Sequence, residues 1–181
     1  MYNHFIGIDA GKKGAIAVLN SDGELLGIIR LRMRSLWGRE IFDPQQLVRD
    51  ISSVCATQQC DIDWEGVFVL VEQVNPRKQG RSSAFSFSGN SIGIVIALET
   101  IGAKVQSIPS DQWKEKLKVG SSNLATQGSS EAEHSKFLKL LAAKKAKELF
   151  PKFKFKSSAT KDEEESSLIA WLGWNSCKKV A

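Results

Sequence analysis

The sequence contains no apolar run near the roughly 18 residues needed to cross a bilayer, and its 181 residues include only three cysteines and two histidines. Cys55, Cys60 and Cys177 are odd in number and form no C-x-x-C pair, which argues against both a disulfide framework and a four-ligand zinc site. They read as reduced and structural. His4 and His134 lie in unrelated contexts and read as surface or packing residues, not as a histidine metal cluster. Internal repeats and interdomain linkers are also lacking. The opening MYNHFIGIDAG has no charged-then-apolar leader pattern and reads as a strand and a turn, so a cytoplasmic location without membrane association is expected.

What is present fits one domain over residues 1–181, with 42% hydrophobic residues to supply a core. The formal net charge of +5 points to a polyanionic partner, although charge speaks to association and not to fold. The basic residues are grouped. Arg30, Arg32, Arg34 and Arg39 form one group, Arg77, Lys78 and Arg81 a second, and Lys136 to Lys156 the densest. Any one group alone reads as a solvated face; three of them around an acidic constellation carry more weight.

Phe5 to Ile8, Gly14 to Asn20 and Leu25 to Leu31 read as strands. Ser21-Asp22-Gly23 is a hairpin turn between the last two, because Asp-Gly accepts the positive φ angles of tight turns. The chain thus opens as an antiparallel meander. Pro44 to Ala56 predicts a crossover helix: Asp43-Pro44 resembles an N-cap followed by proline at the first helical position, and Leu47, Ile51 and Val54 recur at helical spacing. Val67 to Val71 (VFVLV) reads as a strand buried on both faces in parallel pairing, with Glu72 at its C-terminal end. Residues 76–91, PRKQGRSSAFSFSGNS, read as a basic Gly- and Ser-rich loop running into a helix from about Ser91 to Thr100. Lys104 to Ile108 predicts a strand, Asp111 to Lys118 a short helix and Val119 to Gly128 a mobile connection. A long helix from Ser129 to Phe150 is stopped by Pro151, and Asp162 to Ser176 forms a last helix. This order predicts an α/β chain with a mixed sheet and helices on both faces.

Four acids sit where chemistry is expected. Asp9 follows an apolar strand and precedes Gly11 and Gly14, whose small size leaves room for a phosphate; its bland alternative is a hydrogen bond within its own turn. Glu72 ends the most apolar strand, where an unpaired carboxylate would cost several kcal/mol, so it needs a cation, whether a metal or Arg77 or Lys78. Asp162 to Glu165 occupy a first helical turn, which the helix dipole favours in any case, but Asp162 and Glu165 are three apart and share a face. Together these acids can cage two hard divalent cations, and a pair roughly 3.5 to 4 Å apart clamps the attacking and leaving oxygens of a phosphodiester.

The segment FIGIDAGKKGAIAVLN resembles the first motif of the RuvC-like Holliday-junction resolvases. VLVEQVNPRKQGRSSAFSFSGNSIGI is similar to their second motif and the loop after it, and KDEEESSLIAWLGW resembles their terminal acidic helix. The pattern is nearest the chloroplast and phage branch, with a Gly-Phe-rich stretch after the glutamate and Lys147-Glu-Leu-Phe-Pro151 before the last motif. One departure is that Glu163 and Glu164 stand where the family has small residues, and Glu165 where aspartate is common. No plastid-type transit peptide precedes Phe5, which favours a bacterial or phage origin.

The resemblance implies an RNase H-like fold with a five-stranded mixed sheet, and an endonuclease acting in DNA recombination and repair. It would cut four-way junctions by paired symmetric nicks. Asp9, Glu72, Asp162 and Glu165 would be catalytic metal ligands for two Mg²⁺ or Mn²⁺ ions, and the protein would be a homodimer matching a two-fold substrate. The loop from Arg77 to Asn90 would lie near the junction centre, with Phe85 or Phe87 stacked on an unpaired base or, alternatively, packed in the core. Arg77, Lys78, Arg81, Lys114, Lys118, Lys144, Lys145, Lys152 and Lys154 are the candidate DNA contacts. Sugar kinases and actin-like ATPases share the opening IGIDAGKKG, but they need a second lobe and a far longer chain. A nuclease of the same fold for other branched DNA and a non-catalytic junction binder remain as alternatives.

Overall fold

The computed structural model describes residues 2–11, 14–56, 62–73, 81–120, 131–156 and 161–178, with backbone alone for Arg39, 81–88 and 131–132. Strands β1 (His4–Ile8), β2 (Ala15–Asn20) and β3 (Leu25–Arg30) form the antiparallel meander expected from the sequence. Its second turn is tight because the Asn20 side-chain oxygen accepts the N–H groups of Asp22 and Glu24 at 3.0 and 2.9 Å, while Gly23 takes a φ of 83°. Strands β6 (Val67–Gln73) and β7 (Lys104–Pro109) add in parallel beside β1, giving the mixed order β3-β2-β1-β6-β7.

Alternate residues of the central strands serve opposite faces, as the period of two requires. Ile6, Ile8, Ile16, Val18, Val69 and Val71 face α1 (Pro44–Ala56) and α2 (Arg81–Thr100). Asp43 caps α1 by accepting the Gln46 N–H at 3.1 Å, and Leu47, Ile51 and Cys55 are its buried stripe. Phe5, Ala17, Leu19, Phe68 and Leu70 face the other side, where α4 (Glu131–Leu149) and α5 (Asp162–Lys178) pack with Trp113 of α3 (Ser110–Lys116). Buried Ala142 and Ala146 on α4 belong to the same cluster. Among the described residues, no helix is long and apolar enough to cross a membrane.

Three expectations need correction. Helix α2 starts at Arg81, about ten residues before the expected Ser91, so Phe85 and Phe87 stand in its opening turns and not in a loop. The Ser-rich stretch contains no proline; once buried Ile94 and Leu98 anchor the C-terminal half, extending the helix backward costs little. Val119, expected in a mobile connection, is buried in the core beside Leu117; residues 121–130 lie outside the described residues. The third correction is a hairpin the apolar pattern does not announce, β4 (Met33–Leu36) with β5 (Arg39–Phe42). Its turn places Trp37 at φ 51° and Gly38 at φ 72°, a conformation costing a side-chain-bearing residue about 1 kcal/mol or more.

Strand β1 and helix α5 approach backbone to backbone. A Cβ on Gly7 would collide with the Ala170 nitrogen and the Ser166 carbonyl oxygen, both backbone atoms of α5 that cannot step aside. Glycine at this position lets the helix lie directly on the strand. Gly7→Ala is therefore expected to lower the unfolding free energy by about 3 kcal/mol or more, read as a shift of the urea midpoint; an unshifted midpoint would show that α5 is not seated on β1 in this way.

Candidate metal centre

In the parallel pairing of β1 with β6, Ile8 lies opposite Val71, so the residues that follow, Asp9 and Glu72, leave adjacent strand ends side by side. Asp9 is held by its own turn: its Oδ1 accepts the Gly11 N–H at 3.0 Å, and its backbone N–H reaches the Ala15 carbonyl at 3.0 Å. Glu72 is held by the fully buried Trp113, whose indole N–H donates to Oε1 at 3.1 Å. The seating of α5 on Gly7 brings the first turn of that helix to the same place. Asp9, Asp162 and Glu165 each offer an oxygen, and all three oxygens lie within 4.8 Å of one another. Glu72 stands just outside this trio.

Burial first, then the charges of Glu72 and Glu165, and to a smaller degree Asp162, push the Asp9 carboxyl up to about 8 against the opposing pull of the Gly11 N–H. Burial likewise raises Glu165 to about 7; Glu72 and Asp162 push with it, and Lys114 and Lys139 pull it back. Among the described residues no basic side chain pairs with Asp9. Asp162 Oδ2 and Glu165 Oε1 are buried without a hydrogen-bond partner. Two carboxyls that resist ionisation, Asp9 and Glu165, crowded with buried oxygens of Asp162 and Glu165 that lack hydrogen-bond partners, are a donor set that fits a divalent cation.

The rim is basic. Lys114 Nζ lies 3.6 Å from Glu165 Oε1 and 2.9 Å from the Ser110 hydroxyl, and Lys139 Nζ lies 3.9 Å from Asp162 Oδ1. Arg30, at the end of β3, spans Asp162 at 3.6 Å and Glu163 at 3.1 Å. Glu163 is buried with its second oxygen accepting the Lys156 backbone N–H at 3.0 Å. This one carboxylate therefore ties β3, the 151–156 segment and the first turn of α5 together beside Asp162. Glu164 is also buried, 3.7 Å from Lys161. The two extra acids of the run thus have cationic neighbours, Glu163 sharing Arg30 with Asp162 and Glu164 facing Lys161.

The remaining predicted contacts scatter. Arg77 and Lys78 lie outside the described residues, and Arg81, Phe85 and Phe87 are described in backbone only. Lys118, Lys144, Lys152 and Lys154 are exposed, whereas Lys145 is half-buried and pairs with Glu148 at 3.7 Å. In the tract from Lys152 to Lys156 the lysines face outward while Phe153 and Phe155 pack on the core. The arginine group divides: Arg30 joins the acids, Arg32 pairs with Asp50 at 3.2 Å, and Arg34 is exposed. Sequence reasoning missed Arg30, Lys139 and Trp113 as neighbours of the acids. The pairing of Arg30 with Glu163 joins residues 133 apart, for which local spacing gives no signal; strand-end position was the one available clue.

The sheet order, the helices on both faces and the acids at the end of β1 and the start of α5 define an RNase H-like α/β fold. In particular it is the version seen in RuvC. The chain resembles the Thermus thermophilus RuvC structure at 15% identity and a TM-score of 0.51, covering 92% of both chains. It also resembles T. thermophilus RuvC in complex with Holliday junction substrate, at 16% identity and a TM-score of 0.53, covering 93% of this chain and 92% of that one. No protein-family model matches the sequence, and no curated protein matches it.

The raised carboxyls set a pH dependence for the metal-free protein. A carboxyl with a folded pKa above its unfolded value binds protons more tightly when folded, so its stabilising contribution is complete below about 4 and is lost as pH rises. For Asp9 the window runs from 3.8 to about 8. Thermal denaturation in a chelator should therefore show a lower Tm at pH 8.5 than at pH 5.5, with Mg²⁺ or Mn²⁺ recovering the difference at pH 8.5. An equal or higher Tm at pH 8.5 in chelator would show that these acids are not crowded as described.

Proposed function

We propose that this chain is a metal-dependent endonuclease that resolves four-way DNA junctions by paired symmetric nicks, as a homodimer inside the cell. The observation that carries the reading is the convergence of Asp9, Asp162 and Glu165 within 4.8 Å, with Glu72 alongside, on a fold shared with a protein whose structure is in complex with a Holliday junction substrate. Asp9, Asp162, Glu165 and Glu72 hold two divalent cations, Mg²⁺ or Mn²⁺. Bound there, the cations supply an activated water and stabilise the leaving 3′-oxygen in phosphodiester hydrolysis.

The protein's own groups do the rest. Trp113 fixes the orientation of Glu72 by its hydrogen bond, and Gly11 fixes that of Asp9. Lys114 and Lys139 hold positive charge at the rim, where a phosphate backbone enters. Exposed Lys118, Lys144, Lys152 and Lys154 extend that charge away from the acids and give binding that weakens steeply with salt. The resemblance adds Phe85 or Phe87, with Arg77, Lys78 and Arg81, as proposed contacts to the junction.

Dimerisation draws support from α2. Ile94 and Leu98 are fully buried inward, while Ile92 and Ile96 on the same helix are each 59% exposed. Four residues apart, they form one apolar strip that a second copy covers, pairing two sites with a two-fold substrate.

The test is incubation with Mg²⁺ of a synthetic four-way junction beside a flap, a duplex and single-stranded DNA. Symmetric paired nicks on the junction alone are expected; equal cutting of the flap would reassign the substrate. Asp9→Asn should abolish cleavage yet leave junction binding in gel shift largely intact, and cleavage at the normal rate would sink the nuclease reading.

A further inference from the structure

The β4–β5 hairpin carries a feature that neither the core nor the acid cluster uses. Trp37 at its tip is 93% exposed. The turn puts positive φ at Trp37 and at Gly38, the two-residue geometry that Asn-Gly fills most readily and that a bulky side chain fills worst. The largest apolar side chain thus sits in solvent at a backbone position that disfavours it. Among the described residues, none of those in the core clusters packs on the Trp37 ring.

The tip is presented on a firm base. Phe42 at the root is buried, its ring lies against Gly93 of α2, and its N–H donates to the Asn90 side chain at 3.3 Å. Met33, opposite it, packs on the same core face, and the Asp43 N–H bonds the Arg32 carbonyl at 3.0 Å. The hairpin leaves the sheet directly after Arg30, which contacts Asp162 and Glu163. Seven residues of extended chain reach at most about 25 Å, which bounds the distance of the tip from the backbone of Arg30, the residue that contacts the acids. Exposed Arg34 stands three residues before the tip.

Resting on the nuclease reading above, we infer that Trp37 is a base-stacking element, which packs its indole on an unpaired base of the branched DNA while Arg34 meets the adjoining phosphate. An indole face beside a cationic side chain is the combination that holds splayed bases. A second copy of the chain is the other occupant of an exposed indole, but the net charge of +5 and the basic rim around the acids favour a polyanion over a like-charged copy.

The experiment measures four-way-junction binding by fluorescence anisotropy in the Asp9→Asn background, so that cleavage does not intervene. Trp37→Ala should weaken binding by roughly 5- to 100-fold, the loss expected for one base–aromatic stack, with an unchanged salt slope. Trp37→Phe should retain most of the affinity, and Arg34→Ala should reduce the salt slope by about one. Trp37→Asn separates folding from binding: asparagine suits the turn, so Tm should hold or rise while affinity falls as for alanine. Equal affinity of wild type, Trp37→Ala and Trp37→Asn overturns the inference. A change from dimer to monomer in sedimentation for Trp37→Ala, with affinity per dimer intact, also overturns it in favour of a copy–copy contact. Failure of wild type to bind any branched DNA overturns the function proposed above, whereas wild-type binding with indifferent Trp37 variants overturns the stacking alone.

Discussion

Negative charge confined to a small volume is the constraint that the rest of this structure serves. A carboxylate taken out of water is costly unless it is paired, and here the whole acidic first turn of α5 is buried, with Asp9 and Glu72 beside it. The helix dipole favours acids at that end but is small against their mutual repulsion. The surroundings are arranged to hold them nonetheless. Gly7 allows α5 to press on β1, Arg30 and Lys139 flank Asp162, Lys114 flanks Glu165, and Lys161 flanks Glu164. The repulsion that remains falls on Asp9, which has no such cation among the described residues.

Much of this was legible because strands and their ends announce themselves. The apolar run before Asp9 and the VFVLV run before Glu72 set two parallel neighbours, and parallel register then puts both acids at one end of the sheet. Helical spacing put Asp162 and Glu165 on one face, and the resemblance of the terminal acidic helix singled them out. What was not legible depends on tertiary contact. Glu163 reads from sequence as one more solvated acid, and its burial between Arg30 and the Lys156 backbone becomes visible only once β3, residues 151–156 and α5 are side by side.

The other misreadings share a cause. Serine and glycine in 81–91 suggested a loop because local preference is weak, yet the anchoring of Ile94 and Leu98 carries the helix back through them. The β4–β5 hairpin escaped notice because Trp-Gly is not the turn pair that local preference selects, and only Met33 and Phe42 of its strands reach the core. Both are places where local chemistry and final structure disagree, and natural sequences tend to concentrate such disagreement at sites of use or strain. The arginines divide in the same way, one drawn inward to the acids and another left on the hairpin.

The docking of α5 on β1 has a consequence in time as well as space. Asp9 emerges first in synthesis, and its two companions in the trio are 153 and 156 residues further along the chain. Chains grow from the N-terminus at about 5 to 20 residues per second, so a nascent polypeptide holds the first acid for some ten seconds or more before the others exist. No truncated product ending before residue 165 holds all three carboxylates. The trio is thus withheld until the α5 segment has been made.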